Sequence, residues 1–173
     1  MKKEFLLPIA VLFSICLVVS AALGLTNSVT APLIEEAERA AAEAARLEVL
    51  PEASGFESVY LEGLPQGVTN VYRAQNGVGF VFMLSTKGYG GELRLICGVN
   101  AEGNITATKV LVHAETQGLG SKITSGTFSG QFIGKDSELS DVSAISGATI
   151  SSNAYINAIK DAFAALEKAK EVG

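Results

Sequence analysis

Hydrophobic and polar positions follow three successive patterns along the chain. From Phe5 to Leu25 the sequence is apolar apart from Pro8, Ser14, Ser20 and Gly24, and no charge stands between Glu4 and Glu35. At about 1.5 Å of rise per residue, a helical run of this length crosses a hydrocarbon layer of roughly 30 Å. The pattern therefore predicts a transmembrane helix over residues 5–25. Thr26 to Ala31 forms a polar collar, Pro32 suits a first helical turn, and Leu33 to Leu47 is rich in Ala, Glu and Arg. These features predict a helical stalk over residues 26–51 that continues the span and ends at Leu50-Pro51.

Beyond Pro51 the period shortens. Phe56–Leu61, Val68–Tyr72, Val78–Phe82, Leu93–Val99 and Ile105–Val112 read as strands. Asn76-Gly77 predicts a hairpin turn in which both residues take positive φ, and Glu102-Gly103-Asn104 turns a second hairpin. Gly118–Gly134, rich in Gly, Ser and Thr, reads as loops with short helical turns. Asn153–Glu171 places Tyr155, Ile159, Ala162, Phe163 and Leu166 on one face of an amphipathic helix. Strands followed by a terminal helix predict an α+β domain over residues 52–173, with a mainly antiparallel sheet and a C-terminal helix.

Charge gives the span a direction. Lys2 and Lys3 precede it, and Glu35, Glu36 and Glu38 follow. The positive-inside rule makes residues 1–4 a cytoplasmic tip and puts everything after the span on the periplasmic or extracellular side of a bacterial or archaeal plasma membrane. Val19-Ser20-Ala21 resembles a signal-cleavage site, but the apolar run is longer than the roughly 7–15 residues of a signal core, which favours a retained anchor. A lipoprotein site at Cys16 fits poorly behind Phe13, Ser14 and Ile15.

Composition narrows the chemistry. Charged residues make up 18% of the chain and hydrophobic ones 48%, with a mean hydropathy of +0.33; an ordinary soluble domain has about 25% charged residues. The apolar excess has an address in residues 5–25. Those first residues carry Lys2, Lys3 and Glu4, net +1, so with the whole chain at −5 the remainder carries −6. A broad basic face for nucleic acid is therefore not expected. Two cysteines and one histidine are too few for a four-ligand zinc or iron–sulfur centre unless a partner supplies the remaining ligands. No metal site is expected, both thiols are expected to be inert, and redox chemistry would need an organic cofactor.

Three glycine-bearing clusters stand out. Gly88-Tyr89-Gly90-Gly91 lies between two predicted strands, where backbone could approach a flat ligand and Tyr89 could stack on a ring; taken alone, the cluster reads more readily as a flexible turn. His113-Ala114-Glu115-Thr116-Gln117-Gly118-Leu119-Gly120 follows an apolar strand at a strand end suited to a ligand site. No nucleophile elbow accompanies it, and His113 alone is more often a structural histidine than a catalyst. Ser146-Gly147-Ala148-Thr149-Ile150-Ser151-Ser152 precedes the terminal helix, where hydroxyls and free N–H groups suit a phosphate. Plain N-capping by Ser151, Ser152 or Asn153 explains one hydroxyl there.

Together, and in this order behind one N-terminal anchor, the clusters resemble the exported FMN-binding domain family. Ser146-Gly147-Ala148-Thr149 resembles its flavinylation motif. Residues 113–120 resemble its His-x-Glu-Thr-Pro-Gly-Leu-Gly signature, with Gln117 in place of Pro, and Gly88-Tyr89-Gly90-Gly91 its upstream glycine cluster. Within that family the chain resembles G subunits of Rnf-type ion-translocating electron-transport complexes, the C subunits of sodium-translocating NADH:quinone reductases being near relatives. One departure is plain: the family's usual Asp six residues before the modified threonine is Ser143 here, and the nearest acid is Asp141.

The resemblance implies FMN joined through its phosphate to Thr149 by a flavin transferase. It implies a cofactor site built from Ser146, Gly147, Ala148, Thr149, Ser151, Glu115, Thr116, Gly118, Leu119, Gly120, Gly88, Tyr89 and Gly90. Glu115 and the acidic domain would disfavour negative charge on a reduced flavin. The role implied is electron transfer among membrane subunits of a complex coupling ferredoxin and NAD to Na⁺ or H⁺ movement, with no catalytic residue and no NAD-dependent activity of this chain alone. No dinucleotide fingerprint occurs, and the span carries no ionisable residue to conduct an ion. Two alternatives stay open at this point: an exported FMN carrier serving another reductase or extracellular electron transfer, and a non-redox anchored ligand-binding module.

Overall fold

The structure is a computed structural model and describes residues 2–172. The chain divides into two compact units, Met1–Glu43 and Ala44–Gly173. Helix α1, Lys2–Val49, supplies all the described residues of the first. Among the described residues its apolar stretch is Val11–Ile34, 24 residues with mean hydropathy 1.9, which at about 1.5 Å per residue exceeds the roughly 30 Å of a bilayer core. Leu12, Phe13, Val18, Leu23 and Leu25 all present their side chains outward. Met1 of the expected cytoplasmic tip lies outside the described residues. The helix continues without interruption through the expected collar and Pro32; Thr26 and Thr30 add to it by donating their hydroxyls to carbonyls four residues back, Ala22 and Thr26.

The second unit is an α+β domain. Strands β1 (Phe56–Val59), β2 (Val68–Ala74), β3 (Gly79–Lys87), β4 (Glu92–Asn100) and β5 (Ile105–His113) form an antiparallel meander in chain order. The pairings Val71↔Phe82, Val81↔Gly98 and Cys97↔Thr108 fix its register. The β2–β3 turn differs from the two-residue hairpin that Asn76-Gly77 predicts. Four residues connect the strands and only Gly77 takes positive φ, at 73°, with its N–H on the Ala74 carbonyl. Asn76 instead donates its side-chain amide to the Glu52 carbonyl.

Both faces of the sheet are covered, so β4 reads as a nearly unbroken apolar run, Leu95-Ile96-Cys97-Gly98-Val99, all buried. On one face lies helix α3, Thr149–Val172, whose Tyr155, Ile159, Ala162, Phe163 and Leu166 pack on Phe82, Leu84, Leu93, Leu95 and Cys97. The other face is covered by the end of α1. Ala45, Val49 and Leu50 pack against Ala74, Val81 and Ile96, and the Thr106 hydroxyl donates to the Val49 carbonyl. Arg46 lays its guanidinium on the Tyr72 ring, 4.2 Å from the centroid. Ala45, Val49 and Leu50, expected as plain stalk, thus belong to the domain's core.

A short helix α2, Gly126–Ser129, and flanking 3₁₀ turns carry Phe128 and Phe132 into the core. Their rings meet Tyr155 at 5.2 and 5.0 Å between centroids. That aromatic trio fastens the glycine- and serine-rich stretch to α3 and so fixes the loop leaving β5. The Tyr155 hydroxyl donates to Thr108 Oγ1 at 2.8 Å, which satisfies the one polar side-chain atom of the trio.

Candidate functional site

Helix α3 begins at Thr149, four residues earlier than its apolar face predicts. Serine and threonine have modest helix propensity, so the run Thr149-Ile150-Ser151-Ser152 reads as loop although it is the first turn. Ser152 donates its N–H to the Ala148 carbonyl at 2.9 Å, which makes Ala148 the N-cap residue. An alanine there has no side chain to cap the helix, so the N–H groups of the first turn keep their capacity for an outside acceptor. The serines expected as caps lie inside the helix and point elsewhere: Ser152 Oγ accepts the N–H of Ile145, and Ser151 Oγ donates to Glu115.

The approach to that helix is a tight turn, Ile145 to Ala148, closed by the Ala148 N–H on the Ile145 carbonyl at 2.9 Å. Gly147, its third residue, has φ +80°, the position at which a type II turn demands glycine. The turn leaves Thr149 at an exposed helix start.

Glu115 joins the three glycine-bearing clusters. The residue is 8% exposed. Oε2 accepts the Ser151 hydroxyl at 2.7 Å and, at 3.4 Å, the N–H of Gly90. Oε1 is buried and has no hydrogen-bond partner among the described residues. The glycines around it make room for this carboxylate: a Cβ on Gly88 would stand 1.9 Å from Oε1, and one on Gly120 2.3 Å from Oε2. Close backbone approach, expected toward a flat ligand, is here approach to Glu115.

Tyr89, Glu115, Thr116, Leu119, Gly120, Gly147, Ala148, Thr149, Ile150 and Ser151 enclose a cleft of about 420 Å³, within the range of small-ligand and cofactor sites. Of the residues expected at a cofactor site, Ser146, Gly118, Gly88 and Gly90 do not line it. Gly88 and Gly90 stand behind Glu115, Ser146 occupies the turn, and Gly118 donates its N–H to Ser121 Oγ. Ile150 is a lining residue outside the expected set; an apolar residue 58% exposed at a helix start is a signal that periodicity counts as loop. Tyr89 and Leu119, 71% and 52% exposed, complete an apolar rim. His113, expected as structural, has its Nδ1 on the edge of the site, where it accepts the Glu115 N–H at 3.2 Å. Among the described residues no group of three or more His, Cys, Asp or Glu side chains gathers to hold a metal ion.

The chain is 34% identical to the G subunit of the Na⁺-translocating ferredoxin:NAD⁺ oxidoreductase complex of Acetobacterium woodii, with 86% of this chain and 85% of that one aligned. It is 33% identical to the G subunit of the ion-translocating oxidoreductase complex of Methanosarcina acetivorans, over 93% of this chain and 94% of the relative. The chain belongs to the G-subunit family of ion-translocating oxidoreductase complexes. A further member, the G subunit of the proton-translocating ferredoxin:NAD⁺ oxidoreductase complex of Clostridium ljungdahlii, is 33% identical over 56% of this chain and 59% of its own length. Residues 88–164 match the FMN-binding domain family, a stretch that opens at Gly88 and contains the whole cleft. As a G-subunit-family protein with an apolar anchor helix, the chain is membrane-anchored.

The cleft of this G-subunit-family chain fits FMN on its own geometry. Uncapped N–H groups at the start of α3 suit a phosphate, the exposed apolar surfaces of Tyr89, Leu119 and Ile150 suit a planar ring system, and a buried acceptor at Glu115 adds polarity at the back.

Proposed function

We propose that this chain is the membrane-anchored flavoprotein electron carrier of an Rnf-type ferredoxin:NAD oxidoreductase complex, with FMN held covalently through its phosphate on the Thr149 hydroxyl. The observation that carries this reading is the placement of Thr149 as the first residue of α3, exposed, behind an N-cap alanine and on the lip of the cleft. FMN supplies one- and two-electron redox chemistry when bound. The chain's own residues hold it. Thr149 would provide the ester oxygen, the first-turn N–H groups would hold the phosphate, and Tyr89, Leu119 and Ile150 would pack on the ring system and limit water. Ser151 has its hydroxyl proton on Glu115, so it orders the turn and leaves phosphate binding to the backbone, with Ser146 nearby.

A flavin transferase would act on Thr149 from the exposed side, forming the Thr149 O–P bond as the phosphoanhydride of a flavin dinucleotide donor breaks, with the nucleoside monophosphate leaving and the hydroxyl proton released. The domain would stand on the outer face of the membrane with the N-terminus in the cytoplasm, and other membrane subunits would supply both the ion path and the electron partners. The relatives' names specify sodium in one complex and protons in another; in the complex of this chain the coupling ion would be set by the partner subunits.

Intact-mass measurement after co-expression with a flavin transferase tests the reading. Wild type should gain one FMN-phosphoryl mass and Thr149→Ala none. A wild-type chain that stays unmodified, or a Thr149→Ala chain that is modified, would overturn the site.

A further inference from the structure

We infer that His113 is a positioning residue of this site: its imidazole Nδ1, as hydrogen-bond acceptor, sets the backbone from which Glu115 reaches the start of α3. The inference rests on the flavin reading given above. His113 is the last residue of β5, paired with Leu93 across the sheet. Its Nδ1 accepts the N–H of Glu115 at 3.2 Å. An imidazole nitrogen can accept only when it carries no proton, so the proton of the neutral ring lies on Nε2.

The bond matters because of what Glu115 does next. The same residue whose N–H is held by His113 sends its carboxylate to the Ser151 hydroxyl at 2.7 Å and to the Gly90 N–H at 3.4 Å. One continuous path therefore runs from the end of β5 through Glu115 to the third residue of α3, two residues from Thr149. The tolerance of that path is small. Gly88 and Gly120 have no Cβ where the carboxylate lies, so a rotated Glu115 backbone would drive the side chain against one of these two walls. The chain's sole histidine thus occupies the joint at which the sheet sets the geometry of the cleft.

The test is a substitution series in the full chain, co-expressed with a flavin transferase. Asn carries its side-chain oxygen close to where histidine carries Nδ1, so His113→Asn keeps an acceptor for the Glu115 N–H, and His113→Ala removes it. His113→Ala should lower the rate of covalent flavin gain about tenfold, equivalent to about 1.4 kcal/mol, and should shift the reduction potential of whatever flavin it retains. His113→Asn should stay within about twofold of wild type on both readings. Thermal melting of the unmodified proteins shows whether His113→Ala is folded; if it is not, the Asn variant and the ¹⁵N shifts of the wild-type imidazole, expected to report the Nε2–H tautomer, decide. His113→Ala matching wild type, His113→Asn failing alongside it, or an Nδ1–H tautomer would each overturn the inference. A wild-type chain that gains no flavin but shows the Nε2–H tautomer would instead overturn the flavin reading and leave the hydrogen bond standing.

Discussion

The Ser151 hydroxyl donates to Glu115 Oε2 at 2.7 Å, and this bond ties the first turn of α3 to the loop that leaves β5. Ser151 is 1% exposed and Glu115 8%, so the bond is largely shielded from bulk water. Ser151→Ala would leave the carboxylate with only the long contact to Gly90. The loss should destabilise the domain by about 1–3 kcal/mol, the range for orphaning a buried acceptor, measured by chemical denaturation of the unmodified protein.

Glycine replacements should separate the walls of the site from its open loops. On Gly90 a Cβ would meet the Ala114 carbonyl oxygen, a backbone atom with little freedom to move, at 2.0 Å. Gly90→Ala should therefore destabilise by about 1–3 kcal/mol, the usual penalty of overpacking. Gly126, the first residue of α2, has nothing within 4 Å of that position and no positive φ. Gly126→Ala should be neutral or stabilising, by up to about 1 kcal/mol through the unfolded chain. Melting curves of the two variants should move in opposite directions or at least differ by several degrees.

Much of this was legible in the sequence, and the rest was hidden for definable reasons. The meander and the α3 face follow from alternation and 3.6-residue spacing, because Phe82, Leu95, Tyr155 and Ile159 have one environment each. The packing of Ala45, Val49 and Leu50 on the sheet was not legible, since an alanine-rich stalk and an alanine-rich packing face have the same composition. At the site, the three clusters are visible as local patterns, but their common centre is not. Glycines at 88 and 120 look like openings for a ligand until the carboxylate between them is seen. Ser151 looks like a phosphate donor until its hydroxyl is found donating to Glu115. The Ser151–Glu115 contact joins residues 36 positions apart, a separation that no local pattern encodes.

Alkaline pH should weaken the domain. Burial alone pushes the Cys97 thiol far above its ordinary 9.0. Burial also raises the Tyr155 phenol well above 10.0, only partly opposed by its hydrogen bond to Thr108 and helped by the nearby thiol. Both groups stay protonated in the fold while the unfolded chain loses protons above pH 9 and then above pH 10. The unfolded state thus binds fewer protons, and stability, fully present below those values, falls as pH rises. The slope should reach about 1.4 kcal/mol per pH unit for each group. Cys97→Ala should remove the component that begins near pH 9, whatever its fixed cost in core packing. Denaturation midpoints between about pH 8 and 11, a window that brackets both ordinary values, check both statements; a flat wild-type profile would contradict them.

Replacing the buried carboxylate should move the flavin's potential. Negative charge in the wall of the cleft would disfavour electron gain by a flavin held there, so Glu115→Gln should raise the reduction potential by tens of millivolts; about 59 mV is tenfold in a one-electron equilibrium. Redox titration of the flavin-loaded chain measures it. An unchanged potential would confine Glu115 to its structural work with Ser151 and Gly90.

Recognition by the transferase should depend on Asp141. The related motif carries an acid where this chain has Ser143, and the structure holds Ser143 by its backbone: its N–H donates to Gln131 Oε1 at 3.0 Å, and Gln131 Nε2 donates to its carbonyl at 3.4 Å. Ser143 itself is exposed. Asp141 has φ +66° and a carboxylate side chain 93% exposed, with Lys135 near it at 3.9 Å. Asparagine tolerates the same left-handed backbone, so Asp141→Asn removes the charge without straining the turn. Flavin loading should slow several-fold in Asp141→Asn and recover when Ser143→Asp is added, while the melting temperatures of wild type and both variants stay within a few degrees. Equal loading of Asp141→Asn and wild type would show that this acid is not what the transferase reads.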